Sequence, residues 1–278
     1  MKIKVIDFES PSASVEFVES LAKTGFAVLK NHSIDTDLIE SVYSDWEVFF
    51  RSDEKHNYKF DSTKQDGYFA FGLENAKNYS DKDLKEFFQI YSWGKYPEMI
   101  NKDTMLLFHE LCELASKLLN WVEMHCPEDI TKTFSQPLSE MIDNSPYNML
   151  RIIHYPPLRD SDPAGAIRAS AHEDINLLTI LCAATMSGLQ AQDVNGAWYE
   201  VTTDPGMIVV NTGDMLQMVT DGYFPSTTHQ VVNPVNESRQ ISRFSMPLFL
   251  HPRENVKLSE SYTAGSYLLE RLQEIGLR

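Results

Sequence analysis

The stretch Ser170–Leu181, SAHEDINLLTIL, places a histidine and two acids directly before an apolar run. The apolar run is typical of a buried strand, and three ionisable groups at the start of one need a chemical reason. Residues two apart on a strand point to the same face, so we expect His172 and Asp174 to face one cavity and Glu173 to face away. Two ligands from one strand would leave a metal ion underligated, which predicts a third ligand on another strand.

The third ligand that the sequence predicts is His229, which lies in the strand-like segment STTHQVVNP. Two imidazoles and one carboxylate on one side of an ion form a facial triad. That set suits non-haem Fe(II) and leaves coordination positions open for chemistry. A surface turn can also carry a histidine and two acids, so the triplet alone does not decide between a metal site and a turn.

A second pattern, RFS, places Arg243 and Ser245 on one face of another predicted strand, just before the apolar segment MPLFL. Burying an unpaired guanidinium is costly, so an arginine that points into a barrel needs an anionic partner. A guanidinium and a hydroxyl together match a carboxylate ligand, and Tyr155 in RIIHYPP offers another hydroxyl. The alternative is a structural salt bridge between Arg243 and a nearby acid.

The composition is that of a globular protein with a large core: 278 residues, of which 42% are hydrophobic and 23% charged. The net charge of -16 makes nucleic acids and anionic membrane surfaces poor partners, and we predict neither. No apolar run approaches the ~18 residues of a membrane-spanning helix, and the start MKIKVIDFES lacks the apolar region of a signal peptide. Three scattered cysteines suit a reducing compartment, so we predict a cytoplasmic protein.

The predicted fold is α+β, and the pattern changes character near residue 145. Before that point the apolar residues follow a helical period, with Gly25 ending the first helix and Thr36 capping the second. Between these two helices the segment FAVLKN predicts a strand. The longest predicted helix carries one apolar stripe: Leu107, Leu111, Leu114 and Leu118. We expect residues 1–145 to form a helical region packed around a barrel of residues 146–278, which a C-terminal helix closes, in one compact unit.

The barrel is predicted from eight short apolar or alternating runs that Gly, Pro, Asp and Asn separate. They are NMLRIIHY, NLLTILCA, GLQAQD, AWYEV, MIVVNT, MLQMVT, THQVV and RFSMPLFL. Eight short strands at this spacing favour a double-sheet antiparallel barrel, the double-stranded β-helix or jelly roll.

Taken together, these motifs resemble the iron- and 2-oxoglutarate-dependent dioxygenase superfamily, in particular its isopenicillin N synthase-like branch. The family signature H-x-D, a distant H and R-x-S corresponds to the HED that begins at His172, to His229, and to the RFS that begins at Arg243. The resemblance extends over nearly the whole chain, through YPP, LLTIL and VVNTGDMLQMVTDGYFPSTTH in the second half and TGFAVLKNHSI and DLKEFF in the first.

The resemblance implies a role for each motif. The three predicted metal ligands would hold Fe(II): His172, Asp174 and His229. Arg243 and Ser245 would bind the far carboxylate of 2-oxoglutarate, and Tyr155 would lie against the cosubstrate or the substrate. The protein would then couple the oxidative decarboxylation of 2-oxoglutarate by O2, which yields succinate and CO2, to oxidation of a C–H bond in a small molecule.

Two positions depart from the family pattern. Gln230 follows the distal histidine where many relatives carry arginine, and Ile153 replaces a common asparagine before the YPP segment. Neither is a predicted metal ligand, but both could reshape the surroundings of the metal or the substrate pocket.

The same motifs are compatible with other functions. An oxidase of the same fold, such as isopenicillin N synthase, keeps R-x-S without consuming 2-oxoglutarate. A metal-bearing sensor barrel would have no need of open coordination positions, and a zinc hydrolase would need a general base, a role closed to Glu173 if it faces away. The sequence leaves open the substrate, the oligomeric state, and the choice among hydroxylation, desaturation and cyclisation.

Overall fold

The computed structural model describes residues 1–73, 82–274 and 276–277. The strands are β1 Val5–Asp7, β2 Phe26–Lys30, β3 Gly67–Phe69, β4 Glu86–Ile90, β5 Met149–Tyr155, β6 Ala169–His172, β7 Leu178–Cys182, β8 Leu189–Gln192, β9 Trp198–Glu200, β10 Ile208–Thr212, β11 His229–Val231 and β12 Arg243–Leu250. The α-helices are α1 Ala13–Thr24, α2 Thr36–Arg51, α3 Asp103–His125, α4 Glu128–Thr131, α5 Leu138–Met141, α6 Asp214–Val219 and α7 Ala264–Glu274. Two short 3-10 helices cover Asp53–Tyr58 and Asn236–Gln240.

The strands form a major and a minor sheet. The order in the major sheet is β1-β2-β10-β7-β12-β5-β4-β3, and the order in the minor sheet is β6-β11-β8-β9. Apolar side chains from both sheets meet in one interior cluster, which includes Phe26, Phe87, Leu181, Ala191 and Val231. Two facing sheets with a shared apolar interior form the predicted jelly roll, and the α+β fold class is confirmed.

Helices α1, α2 and α3 cover the outer face of the major sheet. The predicted stripe of α3 is fully packed there, with Leu107, Leu111, Leu114 and Leu118 all buried. The strands contribute side chains to the same apolar layer, because successive residues point to opposite faces of the sheet. Ile180 and Met246 point out to the helices, while the neighbouring Leu181 points into the barrel. The prediction of a helical layer packed around the barrel is therefore confirmed.

Local sequence signals explain where α1 ends and where α2 begins. Gly25 ends α1 as predicted, in the left-handed conformation with φ 67°, and its N–H donates to Leu21 O. The cap of α2 is Asp35 and not the predicted Thr36, because the Asp35 side chain accepts a hydrogen bond from the backbone N–H of Asp37.

The region before residue 146 is less purely helical than predicted, because it supplies β1 to β4 of the major sheet. Of these, only β2 was expected, from the segment FAVLKN. The division of the chain at residue 145 stays a prediction. In the described residues, no helix is both long and apolar enough to cross a membrane.

The prediction that the run MLQMVT forms a strand is wrong, because this run forms most of α6. Its buried residues Met215, Leu216 and Val219 have helical spacing, and the Gly213 carbonyl accepts from the N–H groups of Leu216 and Gln217. A short apolar run is compatible with both the helical and the strand period, and here tertiary packing favours the helix.

Candidate active site

The opening stretch does not form a single strand. β6 ends at His172 in the minor sheet and β7 begins at Leu178 in the major sheet, so residues 173–177 cross between the sheets. The predicted strand alternation through Asp174 is therefore wrong, although the carboxylate still reaches the side of His172. The start of α6 holds the crossing in place, because Asp214 N donates to Asp174 O (2.7 Å) and Gly213 N donates to Leu177 O (2.9 Å).

Three side chains converge at this crossing. His172 on β6 and His229 on β11 are directly opposite each other in the ladder, and their ring centroids lie 4.4 Å apart. Asp174 Oδ1 lies 3.9 Å from His172 Nε2 and 3.8 Å from His229 Nε2. Among the residues that the structure describes, this is the one group of three or more His, Cys, Asp or Glu side chains whose possible ligand atoms all lie within 4.8 Å of one another.

The backbone fixes the tautomers of both histidines. His172 Nδ1 lies 2.7 Å from Ser170 O, and His229 Nδ1 lies 3.1 Å from Thr227 O. A carbonyl oxygen can only accept, so each Nδ1 carries the proton. Each Nε2 therefore directs a lone pair into the space beside Asp174, which is the arrangement that a metal ion needs.

Asp174 is buried and uses its two oxygens differently. Oδ2 accepts hydrogen bonds from Thr179 Oγ1 (2.5 Å) and Asn211 Nδ2 (2.7 Å), while Oδ1 faces the histidines. Neither of these donors was predicted from the sequence. The signal that could have found them is a polar residue inside an apolar strand, Thr179 in LLTIL and Asn211 in IVVNT, because a buried polar group requires a partner.

The pKa shifts give the site the protonation states of a metal centre. Burial and the neighbouring His229 lower the pKa of His172 to about 4. Burial would raise the pKa of Asp174, but the two histidines and the two hydrogen bonds lower it overall. A neutral imidazole at His172 and an ionised carboxylate at Asp174 are the forms that coordinate a cation.

Glu173 stays outside the ligand group. Its carboxylate accepts a hydrogen bond from Thr228 Oγ1 and lines the cavity beside the triad. The sequence predicted this separation from strand alternation. In the structure, Glu173 is instead separated from the ligand group because the chain turns after β6.

Arg243, Ser245 and Tyr155 lie together in the barrel interior. Arg243 is 2% exposed and pairs with Tyr155 across the β12–β5 ladder, with its guanidinium carbon 5.0 Å from the Tyr155 ring centre. Its Nε donates to Met186 O (3.0 Å), and its Nη1 has no hydrogen-bond partner within the described part of the chain. Ser245 is also buried, opposite Ile153. No described acid forms a salt bridge with Arg243, so the alternative of a structural ion pair finds no partner in the described ranges.

A cavity of about 1050 Å³ opens beside His172 and Asp174. Gln89 and Arg151 of the major sheet line one side, Gln230 lines another, and apolar residues of α7 close over it. Gln230, where the family pattern has arginine, donates through Nε2 to Gln190 (2.9 Å). Arg243, Ser245 and Tyr155 do not line this cavity.

Comparisons with known proteins agree with this geometry. The family model of the 2OG-Fe(II) oxygenase superfamily matches residues 146–252, and a model described as the N-terminal part of a non-haem dioxygenase in morphine synthesis matches residues 3–105. A crystal structure of a protein assigned as an oxygenase, from Shewanella oneidensis, is 46% identical with a TM-score of 0.90, and the alignment covers 100% of both chains. The chain belongs to the iron(II)- and 2-oxoglutarate-dependent dioxygenase superfamily.

Two other relatives of this dioxygenase extend the comparison. A structure assigned to the 2OG-Fe(II) oxygenase family, from Caulobacter crescentus, is 28% identical with a TM-score of 0.81, and the alignment covers 98% of this chain and 99% of the other. Thebaine 6-O-demethylase of Papaver somniferum is 29% identical over 88% of this chain and 71% of its own length. The dioxygenase is thus an oxidoreductase that works with Fe(II), 2-oxoglutarate and O2.

Proposed function

We propose that this dioxygenase holds Fe(II) with His172, Asp174 and His229 and oxidises a small molecule bound in the adjoining cavity. The observation that carries the proposal is the convergence of Asp174 Oδ1 on both Nε2 atoms, at 3.8 and 3.9 Å. Hydrogen bonds occupy Oδ2 and both Nδ1 atoms, so Oδ1 and the two Nε2 atoms, which have no hydrogen-bond partner in the described residues, are available to a cation.

The protein's own residues orient and isolate the centre. Fe(II) held there would supply the redox chemistry by which O2 oxidises 2-oxoglutarate and the substrate. Thr179 and Asn211 hold the carboxylate plane of Asp174, and the carbonyl groups of Ser170 and Thr227 hold the imidazole rings. Polar partners of this kind commonly govern metal affinity nearly as strongly as the ligands themselves.

We further propose that Arg243, with Ser245 and Tyr155, holds the far carboxylate of 2-oxoglutarate. The support is the burial of a guanidinium that keeps an N–H group without a partner. Such a group is unfavourable alone and favourable beside a carboxylate, which can accept hydrogen bonds from the guanidinium and from both hydroxyls.

The substrate is proposed to be a small molecule with a polar or anionic edge. Arg151 lies on the cavity wall between two rings, 4.3 Å from the Phe87 centroid and 5.3 Å from the Phe249 centroid. Gln89 is its cross-strand neighbour and is 3% exposed. A cation and an amide side by side suit a carboxylate or an amide group, and the apolar leucines of α7 suit a hydrocarbon body.

A reducing compartment, and specifically the cytoplasm, stays part of the proposal. All three cysteines are free, at positions 112, 126 and 182. Burial raises the pKa of the Cys112 and Cys182 thiols to about 12, which keeps them protonated and unreactive.

An anaerobic titration tests the proposed function. A 2-oxo acid that chelates Fe(II) gives a weak visible charge-transfer band, so we expect the Fe(II) protein to develop this band as 2-oxoglutarate is added. Admission of air should then release succinate. If the protein binds iron but gives neither the band nor succinate, the 2-oxoglutarate assignment fails, and an oxidase that does not consume this cosubstrate becomes the better function.

A further inference from the structure

A second buried arginine lies beside Arg243. Arg168 directly precedes β6 and has no exposed surface. Its Nη2 donates to the carbonyl oxygen of Ile241 (3.0 Å), two residues before Arg243, so the side chain bridges from the minor sheet to the start of β12. Among the residues that the structure describes, its Nε and Nη1 atoms have no hydrogen-bond partner.

The two guanidinium groups lie against the same aromatic ring. Their central carbons are 5.9 Å (Arg168) and 5.0 Å (Arg243) from the centre of the Tyr155 ring. Burial, and then repulsion by Arg243, lower the pKa of Arg168 to about 10. Arg168 is therefore still charged at neutral pH. No acid in the described ranges forms a salt bridge with Arg168 either.

Two buried like charges with unused N–H groups are unfavourable by themselves. Each guanidinium is desolvated, each repels the other, and three N–H-bearing nitrogens lack acceptors: Arg168 Nε, Arg168 Nη1 and Arg243 Nη1. A carboxylate removes all three penalties at once, because it is anionic and its two oxygens offer about four acceptor sites.

We propose that Arg168 joins Arg243 in binding the far carboxylate of 2-oxoglutarate, so that two guanidinium groups, one from each sheet, hold the cosubstrate. This inference rests on the proposed function, which assigns that carboxylate to Arg243. The competing role for Arg168 is purely structural, as a tie that holds the start of β12 through Ile241 O.

The effect of Arg168 should depend on the second carboxylate of the ligand. Removal of charge-assisted hydrogen bonds predicts that Arg168→Gln weakens 2-oxoglutarate binding by roughly 10- to 100-fold. 2-Oxopentanoate has the same five-carbon chain and the same metal-chelating end, with a methyl group in place of the second carboxylate. Its binding should change less than about twofold in the variant, because it has no group for Arg168 to hold.

The experiment is an anaerobic titration of the Fe(II) protein with each acid, followed by the visible charge-transfer band. The wild type is compared with Arg168→Gln, Arg168→Lys and Arg243→Gln. Arg239→Gln is the matched control, since Arg239 is an exposed arginine in the segment that leads into β12. We expect the lysine variant to fall between the wild type and Arg168→Gln, because it keeps the charge and loses the fork of donors.

Thermal unfolding of the ligand-free proteins separates the two roles of Arg168. If the buried charge of Arg168 is compensated only by bound 2-oxoglutarate, ligand-free Arg168→Gln should unfold at the same temperature as the wild type or higher. Addition of 2-oxoglutarate should then raise the unfolding temperature of the variant less than that of the wild type. A variant that unfolds earlier but binds 2-oxoglutarate within twofold of the wild type would show a structural tie only. Equal losses for both acids would also overturn the inference, as a general disturbance of the site. If wild-type protein and Arg243→Gln bind 2-oxoglutarate alike, the proposed cosubstrate site itself fails.

Discussion

At the scale of single residues, Asp174 uses one oxygen for hydrogen bonds within the protein and directs the other to the proposed metal site. Thr179 and Asn211 fix one oxygen, and the other faces His172 and His229. Glu173, next in the chain, is tied to Thr228 and does not join them. Adjacent acids therefore have different tasks, which a pair of variants can separate.

We predict that Asp174→Ala loses bound Fe(II) and iron-dependent O2 uptake, whereas Glu173→Ala keeps most of both. The reason is the position of Asp174 Oδ1 between the two Nε2 atoms. Iron content and O2 uptake are measured for both variants, with circular dichroism to confirm folding. Equal losses in the two variants would contradict the assignment and make Glu173 a ligand.

The site residues show what a sequence predicts well and what it does not. The resemblance to a known signature brought out His172, Asp174 and His229, and the structure brings these three together. The strand alternation used to relate the first two was wrong, since the chain leaves the sheet after His172. Pairing of Asn211 with Asp174 was not predictable, because local periodicity carries no information about which strand lies opposite.

At the scale of elements, the turn between β6 and β7 depends on a glycine in another segment. A Cβ atom on Gly213 would lie 2.2 Å from Asn176 O and 2.6 Å from Asn176 Oδ1. That close approach lets the start of α6 bind the backbone of residues 174–177. Gly213 thus helps to position the proposed metal-ligating carboxylate.

We predict that Gly213→Ala lowers the free energy of unfolding by roughly 1–3 kcal/mol, the usual effect of overpacking, and weakens iron binding as Asp174 shifts. Gly94→Ala is the control, because its added Cβ would meet neighbours at ordinary distances of 3.4 and 3.5 Å. Urea unfolding and iron titration are the measurements. A Gly213→Ala protein as stable as the Gly94→Ala protein would refute the close approach.

Strands β4 and β5 share a buried polar cluster on the helix side of the sheet. Glu86 is 3% exposed and accepts hydrogen bonds from Tyr68 Oη, from His154 Nδ1 (2.7 Å) and from Lys55 Nζ (3.1 Å). Burial would raise the pKa of Glu86, but these partners lower it overall from the ordinary value of 4.5. His154 also stacks on Phe244, the neighbour of Arg243 in β12.

We predict that Glu86 stabilises the fold only while it is ionised. A carboxyl whose pKa is lowered in the folded state adds stability above its unfolded pKa, and this stability is lost as the pH falls through the folded value. Glu86→Gln should therefore be less stable than the wild type at pH 7, by roughly 1–3 kcal/mol. The difference should shrink as the pH falls below 4.5. Urea unfolding of the metal-free proteins at several pH values measures it, and a constant difference would contradict the prediction.

At the scale of the whole molecule, iron should stabilise the barrel without being needed to fold it. The core is large and apolar, and one ligand is a small part of it. We predict that His229→Ala keeps the wild-type circular dichroism but loses bound iron. Fe(II) at about 100 times its dissociation constant should raise the unfolding temperature of the wild type by roughly 5 °C or more and leave that of the variant unchanged. Full iron occupancy in the variant would remove His229 from the site.

The overall architecture was predictable where elements are long or strongly patterned. The stripe of α3 and the apolar runs of β5 and β12 appear in the structure as expected. The three-residue strands β1 and β3 were missed, because three residues do not define a period. Their membership of the major sheet depends on partners far along the chain, which local patterns cannot reveal.

The position of β2 between β1 and β10 has a consequence for synthesis of the chain. Ribosomes add roughly 5–20 residues per second, so Phe26–Lys30 emerges on the order of ten seconds or more before its antiparallel partner Ile208–Thr212. During that interval the nascent chain carries an apolar strand with one open edge. Cellular factors that shield such edges would then govern how much newly made polypeptide escapes aggregation.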